Sequence, residues 1–361
     1  MSQSLQSTQT TAQVRTAKRM EWVDYAKGMA AISVVFVHVL HGVIRAGLIT
    51  NEQVKFLADS WSEYSLNMPV FFFLAGLFAV SSVKKPLGDF MSDKLRTLVY
   101  PYVLWSFIAM FVGTLAVKYT NFGMTLNDWP NVLYSPVLIY WFLYAMFILM
   151  TVFAVMNKLN IDIRWFVALM VGLFLFGKTV DVYGFSEWMG RLFEFGIFFA
   201  FGAYFNERIK TMFDGRSTRN IALVGVTALI IFAFFVAQGP NFVPPLMEAL
   251  VSATGLVMAI CISEVLARKD ALTILRSWGR ISLQIYLVHV LAGVGFRVLL
   301  ARFLHIDNGA LHLFGGWLVG INSAVFLVWF GNKIGFTYLF TFPKQIAKTQ
   351  KVKAVGEKSA A

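Results

Sequence analysis

The chain is a succession of apolar runs, most of them long enough to cross a lipid bilayer, joined by short polar loops. A helix needs about 20 apolar residues to cross the hydrocarbon core. Within that core every backbone N–H and C=O must be paired inside the chain, so only helices and closed barrels can span it. Apolar runs of this length make the fold class all-α: a polytopic membrane protein of about ten transmembrane helices. Composition agrees: only 14% of the 361 residues are charged and 58% are hydrophobic, where a soluble domain carries about a quarter charged residues.

The expected spans cover residues 25–48, 64–83, 98–117, 133–156, 165–176, 192–205, 221–237, 246–266, 281–303 and 311–330. The fifth is short, tilted or partly re-entrant. Basic residues alternate from loop to loop. Arg15, Lys18 and Arg19 precede the first span; Lys84, Lys85, Lys94 and Arg96 follow the second; Lys158 and Arg164 follow the fourth. Intervening loops are poor in base, with Lys55 among Glu52, Asp59 and Glu63, and Lys178 beside Asp181 and Glu187. By the positive-inside rule both termini face the cytoplasm, across an even number of spans in the cell's inner membrane. The net charge of +12 is then a topology signal, and no nucleic-acid partner is expected. Residues 1–20 read as a disordered cytoplasmic tail, 21–335 as the membrane domain and 336–361 as a basic cytoplasmic tail. No loop is long enough for a soluble domain. Cys261 is the only cysteine, which excludes an internal disulfide and a cysteine-based metal site.

The chemistry concentrates in WVDYAKGMAAISVVFVHVLHG, residues 22–42, where Lys27 precedes His38 by eleven residues. Eleven residues are about three helical turns, so the two share a face about 16 Å apart along the axis. On a helical wheel Asp24, His41 and Arg45 fall within about 60° of His38. A polar stripe of this kind lines a cavity or a bundle interior, since lipid does not tolerate it; the alternative is a polar packing seam. His38 has the one side chain in the stripe suited to proton transfer near neutrality, or to brief acyl transfer. His41 is a second candidate base. Two histidines at i, i+3 without a partnering carboxylate motif make a poor metal site, so no metal is expected.

Further along, NMPVFFFLAGLF (67–78) has Pro69, expected to disturb the start of its helix, and Gly76, which permits close helix packing. Lys94 and Arg96, at the cytoplasmic edge of the third span, either hold topology and anionic lipid or grip the phosphates of a soluble cofactor. Trp141 in YWFLYAMF is an interface anchor or a channel-lining indole. WGRISLQIYLVHVL places His289 inside the ninth span. Glu194, Glu248, Gln284 and Asn322 are read, singly, as structural hydrogen-bonding partners.

Together these landmarks resemble the family-3 membrane acyltransferases. The matching pieces, in order, are WVDYAKG…VFVHVLHG, MPVFFFLAGLF, KLRTLVYPYVLW, YWFLYA and GRISLQIYLVHVL. The resemblance implies an integral membrane O-acyltransferase that takes an acyl group from cytoplasmic acyl-CoA, acetyl-CoA or succinyl-CoA, and passes it to a hydroxyl of a cell-surface or lipid-linked carbohydrate. The family's basic-x10-His motif maps onto Lys27 and His38, making His38 catalytic and Lys27 a cofactor contact. Its basic cluster before the third helix maps loosely onto Lys94 and Arg96, without the strict Arg-x-x-Arg spacing. Trp141 joins the cofactor-binding set, with Asp24, His41, Arg45 and His289 in support. The sequence carries no hydrolase-like stretch, as expected of the family's stand-alone type. Rivals of other classes are a transporter or flippase using the same stripe as a substrate path, and a pH-sensing membrane protein.

Overall fold

A computed structural model describes residues 19–118, 125–180, 182 and 186–342. The expected tails before residue 19 and after residue 342 lie outside the described residues. Every regular element among the described residues is a helix: α1 (Glu21–Arg45), α2 (Glu52–Glu63), α3 (Asn67–Ser82), α4 (Leu87–Lys94), α5 (Tyr100–Leu115), α6 (Trp141–Lys158), α7 (Ile163–Thr179), α8 (Glu187–Tyr204), α9 (Asn206–Thr211), α10 (Thr218–Gln238), α11 (Pro245–Arg268), α12 (Thr273–Arg280), α13 (Ser282–Val298) and α14 (Gly309–Lys333). A π-helical turn, Leu95–Val99, joins α4 to α5, and 3₁₀ turns precede α6.

The chain is an all-α polytopic membrane protein. Among the described residues eight helical stretches are long and apolar enough to cross a bilayer, and they fall on eight of the ten expected spans. The other two expected spans are also helices, but α7 has 17 residues and α8 carries Glu187, Arg191 and Glu194 within its 18. Helix ends follow local chemistry. Asn51, Asp162, Ser217 and Asn308 accept backbone N–H bonds at the starts of α2, α7, α10 and α14. Glu21 and Asp24 lie in the first turn of α1 and Arg45 in its last, the arrangement the helix dipole favours.

Helix α1 is the axis of the bundle, packing against α2, α3, α11, α12, α13 and α14. A second tight pair, α3 and α8, is joined through two glycines. A Cβ on Gly76 would collide with the Phe199 carbonyl oxygen, and one on Gly202 with that of Phe73. The expectation for Gly76 is met: the bare backbones touch, as in small-residue membrane packing. Pro69 does not disturb its helix. It is the third residue of α3, where the missing N–H would have no intrahelical partner anyway; the break lies at residues 64–66, between α2 and α3.

Lys178, expected in a loop, is instead in the last turn of α7. Its Nζ lies 2.5 Å from Glu248 Oε2 on α11 and 3.8 Å from Glu194 Oε1 on α8. The structural role expected of both glutamates is thus an ionic one, stapling three helices.

Candidate active site

Helix α1 enters the bundle beside α12 and runs toward α2, so its two polar ends serve different surroundings. At the entry end Asp24 is 4% exposed. Its carboxylate accepts from Arg19 Nε and Nη2 at 2.8 and 3.0 Å and lies 3.5 Å from Arg280 Nε. These hydrogen bonds hold the Arg19 guanidinium above its ordinary pKa range. Asp24 is therefore committed to arginines. Lys27, half-buried, points its Nζ over the Phe78 ring of α3, 5.7 Å from the centroid.

Lys94 and Arg96 are on the α4–α5 join. Lys94 Nζ lies over Phe90, 5.3 Å from its centroid, and Arg96 Nε donates to the Phe342 carbonyl at 3.1 Å. The segment after α14 is thereby strapped across the start of α5. The strap is reinforced by Tyr100 Oη donating to the Tyr338 carbonyl and Trp105 Nε1 to that of Leu339.

Toward its other end, α1 forms one wall of a cavity of about 580 Å³. The remaining walls come from the α2–α3 junction, the starts of α6, α8 and α14, and the outer half of α13. His38, His41, Arg45, Trp141 and His289 all line it; Asp24, Lys27, Lys94 and Arg96 do not. The polar stripe of α1 is thus divided. The cavity begins at Val34 on this helix, about 10 Å along the axis from Lys27.

His38 is exposed to the cavity. Its Nδ1 is 2.9 Å from the Val34 carbonyl, and since a carbonyl only accepts, the proton sits on Nδ1. The Nε2 lone pair is left for chemistry. His289 is fully buried, with Nδ1 donating to the Tyr286 and Ile285 carbonyls at 2.8 and 3.0 Å. The two imidazoles meet edge to face, ring centroids 5.2 Å apart. His41 is oriented in the same way by Val37, and its Nε2 lies 3.6 Å from Asp59 of α2.

The frame around the histidines is specific. Tyr286 Oη donates to the Ile139 carbonyl, and Tyr140 Oη to the Leu287 carbonyl at 3.1 Å. This reciprocal clasp fixes α13, and with it His289, against the start of α6. Trp141 stacks on Phe72 and Phe195, which also touch each other, in a three-ring cluster. The Arg191 guanidinium lies 5.2 Å from the centre of its ring.

Seven buried side-chain polar atoms lack a hydrogen-bond partner among the described residues. Four belong to residues lining the cavity: Trp61 Nε1, Asn67 Oδ1, His289 Nε2 and His312 Nδ1. Buried polar groups are almost always paired, and four of these seven belong to one cavity. Sequence reasoning assigned no role to Trp61, Asn67, Glu187, Arg191, Arg297 or His312. Arg297 carried a usable signal, a charge inside an apolar span. Among the described residues no group of three or more metal-ligating side chains comes together.

A family model for the acyltransferase 3 domain matches residues 20–332. The chain belongs to the family-3 acyltransferases, membrane enzymes that transfer acyl groups. No curated protein and no solved structure matches the chain.

Proposed function

We propose that the protein is an O-acyltransferase of the inner membrane, with both termini cytoplasmic. It moves an acetyl or succinyl group from cytoplasmic acyl-CoA to a hydroxyl of a cell-surface or lipid-linked carbohydrate. The observation that carries this reading is the exposure of His38 to a cavity rich in unpaired polar atoms, with its Nδ1 proton tied to Val34.

His38 Nε2 is the general base. It takes the proton of the acceptor hydroxyl as that oxygen bonds to the thioester carbon; the C–S bond breaks, and the thiolate leaves with a proton returned by the imidazolium. His289, held by the Tyr286–Ile139 clasp, fixes the edge of His38 that faces it. The nucleotide end of the donor stays at the basic face, which Lys27, Lys94 and Arg96 serve. The pantetheine arm, on the order of 15–20 Å, matches the rise from Lys27 to His38. The cavity reaches α1 only as far as Val34, so in this reading the arm has to pass between Lys27 and Val34 for the thioester to meet His38.

The test is transfer by the purified protein in nanodiscs, supplied with labelled acetyl-CoA or succinyl-CoA and glycan from the host envelope. Label in the glycan with stoichiometric release of CoA thiol is expected. Absence of transfer, with protein-dependent movement of the glycan or its lipid-linked precursor across vesicles, would establish a flippase instead.

A further inference from the structure

The charge of the cavity narrows the acceptor further. Three arginines line it: Arg45 at the end of α1, Arg297 of α13 against Gly42 of α1, and Arg191 of α8. The one carboxylate among the lining residues, Glu187, is already taken, with Arg191 Nε and Nη2 donating to its Oε1 at 3.0 and 2.6 Å. Neither Arg45 nor Arg297 has an ion-pair or hydrogen-bond partner among the described residues. Arg297 is partly buried near the end of α13. A charged group held in a low-dielectric setting is costly without a counter-charge.

The chain also makes room for this guanidinium. A Cβ on Gly42 would stand 2.5 Å from Arg297 Nη1, so the arginine lies against bare backbone of α1. Gly42 is four residues from His38, one turn further from Lys27, which places the guanidinium about 6 Å along the axis beyond the imidazole. Arg45 is a further turn along the same wall. The unpaired positive charge therefore lies on the side of His38 opposite to the donor's basic face.

We infer that the acceptor is anionic: a carboxylate or phosphate of the sugar substrate docks on Arg297 and Arg45 and so presents a neighbouring hydroxyl to His38. Guanidinium groups bind both oxyanions in a bidentate manner, so uronic-acid sugars and sugar diphosphates on a lipid carrier share the required chemistry. This inference rests on the transferase reading for the role of the hydroxyl, but anion binding itself does not depend on it.

The experiment therefore measures binding as well as turnover. Protein in phosphatidylcholine nanodiscs is titrated, without acyl-CoA, with a glucuronate-bearing tetrasaccharide, its carboxyl-reduced neutral counterpart, and undecaprenyl-diphosphate-linked glucose. Wild type is expected to bind at least one charged probe about ten-fold or more tightly than the neutral sugar; which charged probe binds identifies the source of the oxyanion. Arg297→Gln removes the preference and Arg297→Lys restores part of it. Gly42→Ala, which displaces the guanidinium while keeping its charge, weakens the charged probe alone. If label transfer is observed, Arg297→Gln raises the acceptor KM about 10- to 100-fold and leaves the acyl-CoA KM unchanged. Equal binding of charged and neutral probes by wild type overturns the inference, as does a rise in the acyl-CoA KM in place of the acceptor KM. Failure of transfer with the binding preference intact would sink the transferase reading alone.

Discussion

Replacing Lys178 by methionine isolates one buried electrostatic contact whose cost follows from its surroundings. Lys178 is 12% exposed in its side chain, Glu248 13% and Glu194 17%, so solvent screens the group weakly. The cation lies 2.5 Å from one carboxylate and 3.8 Å from the other, and it holds α7 to both α8 and α11. Its loss removes the cation 2.5 Å from the buried Glu248 carboxylate and takes positive charge away from Glu194 as well. Breaking a buried pair from one side costs about 3–5 kcal/mol, whereas replacing the whole group by neutral residues of similar shape is often close to neutral. Lys178→Met should therefore lower the unfolding free energy by about 3–5 kcal/mol in mixed micelles. Adding Glu194→Gln and Glu248→Gln to it should return most of that loss. The readout is equilibrium unfolding by a denaturing detergent, followed by far-UV circular dichroism. A single-variant cost below about 1 kcal/mol, the range of exposed pairs, would show that the cluster is hydrated and that the staple does not exist. So would a triple variant no more stable than Lys178→Met.

Three other outcomes are expected. Lys27→Ala should raise the acyl-CoA KM about ten-fold with little change in kcat, read from initial rates; an unchanged KM removes Lys27 from the donor site. Gly76→Leu should cost about 1–3 kcal/mol by overpacking the α3–α8 contact, whereas Gly172→Leu, where a Cβ meets nothing within 4 Å, should be silent in the same unfolding assay. Tyr286→Phe removes one half of the clasp on Ile139; it should cost about 1 kcal/mol and lower kcat several-fold at constant KM for both substrates.

Much of this architecture is legible in the chain because the bilayer is a severe constraint. Apolar length marks the spans, and helical periodicity alone places His38, His41 and Arg45 on one wall. For Asp24 and Lys27 the same periodicity reports the shared face but not where along that face the surroundings change from bundle interior to cavity. What α1 meets is decided by other helices, α12 with Arg280 at one end and α13 with His289 at the other. That pairing joins residues about 250 positions apart and leaves no local pattern. Lys178 escaped because, beside Asp181 and Glu187, it looks like a loop charge when its pairing with Glu194 and Glu248 on other helices is unseen. Arg191 stood just outside an expected span, although the guanidinium packs on the Trp141 ring. Gly42 looks like any glycine in a membrane helix until Arg297 is found against it.

The proton-handling role proposed for His38 is read from the turnover of His38→Ala beside His41→Ala in nanodiscs at saturating acyl-CoA. The His38 side chain faces the cavity and touches the core through His289, so its removal should cost no more than about 1–2 kcal/mol of unfolding free energy. Loss of a general base should lower kcat by about 10²–10⁴-fold without altering the acyl-CoA KM, while His41→Ala stays within a few-fold of wild type. A His38→Ala enzyme within ten-fold of the wild-type kcat, or a loss of activity that follows His41 instead, would contradict the account.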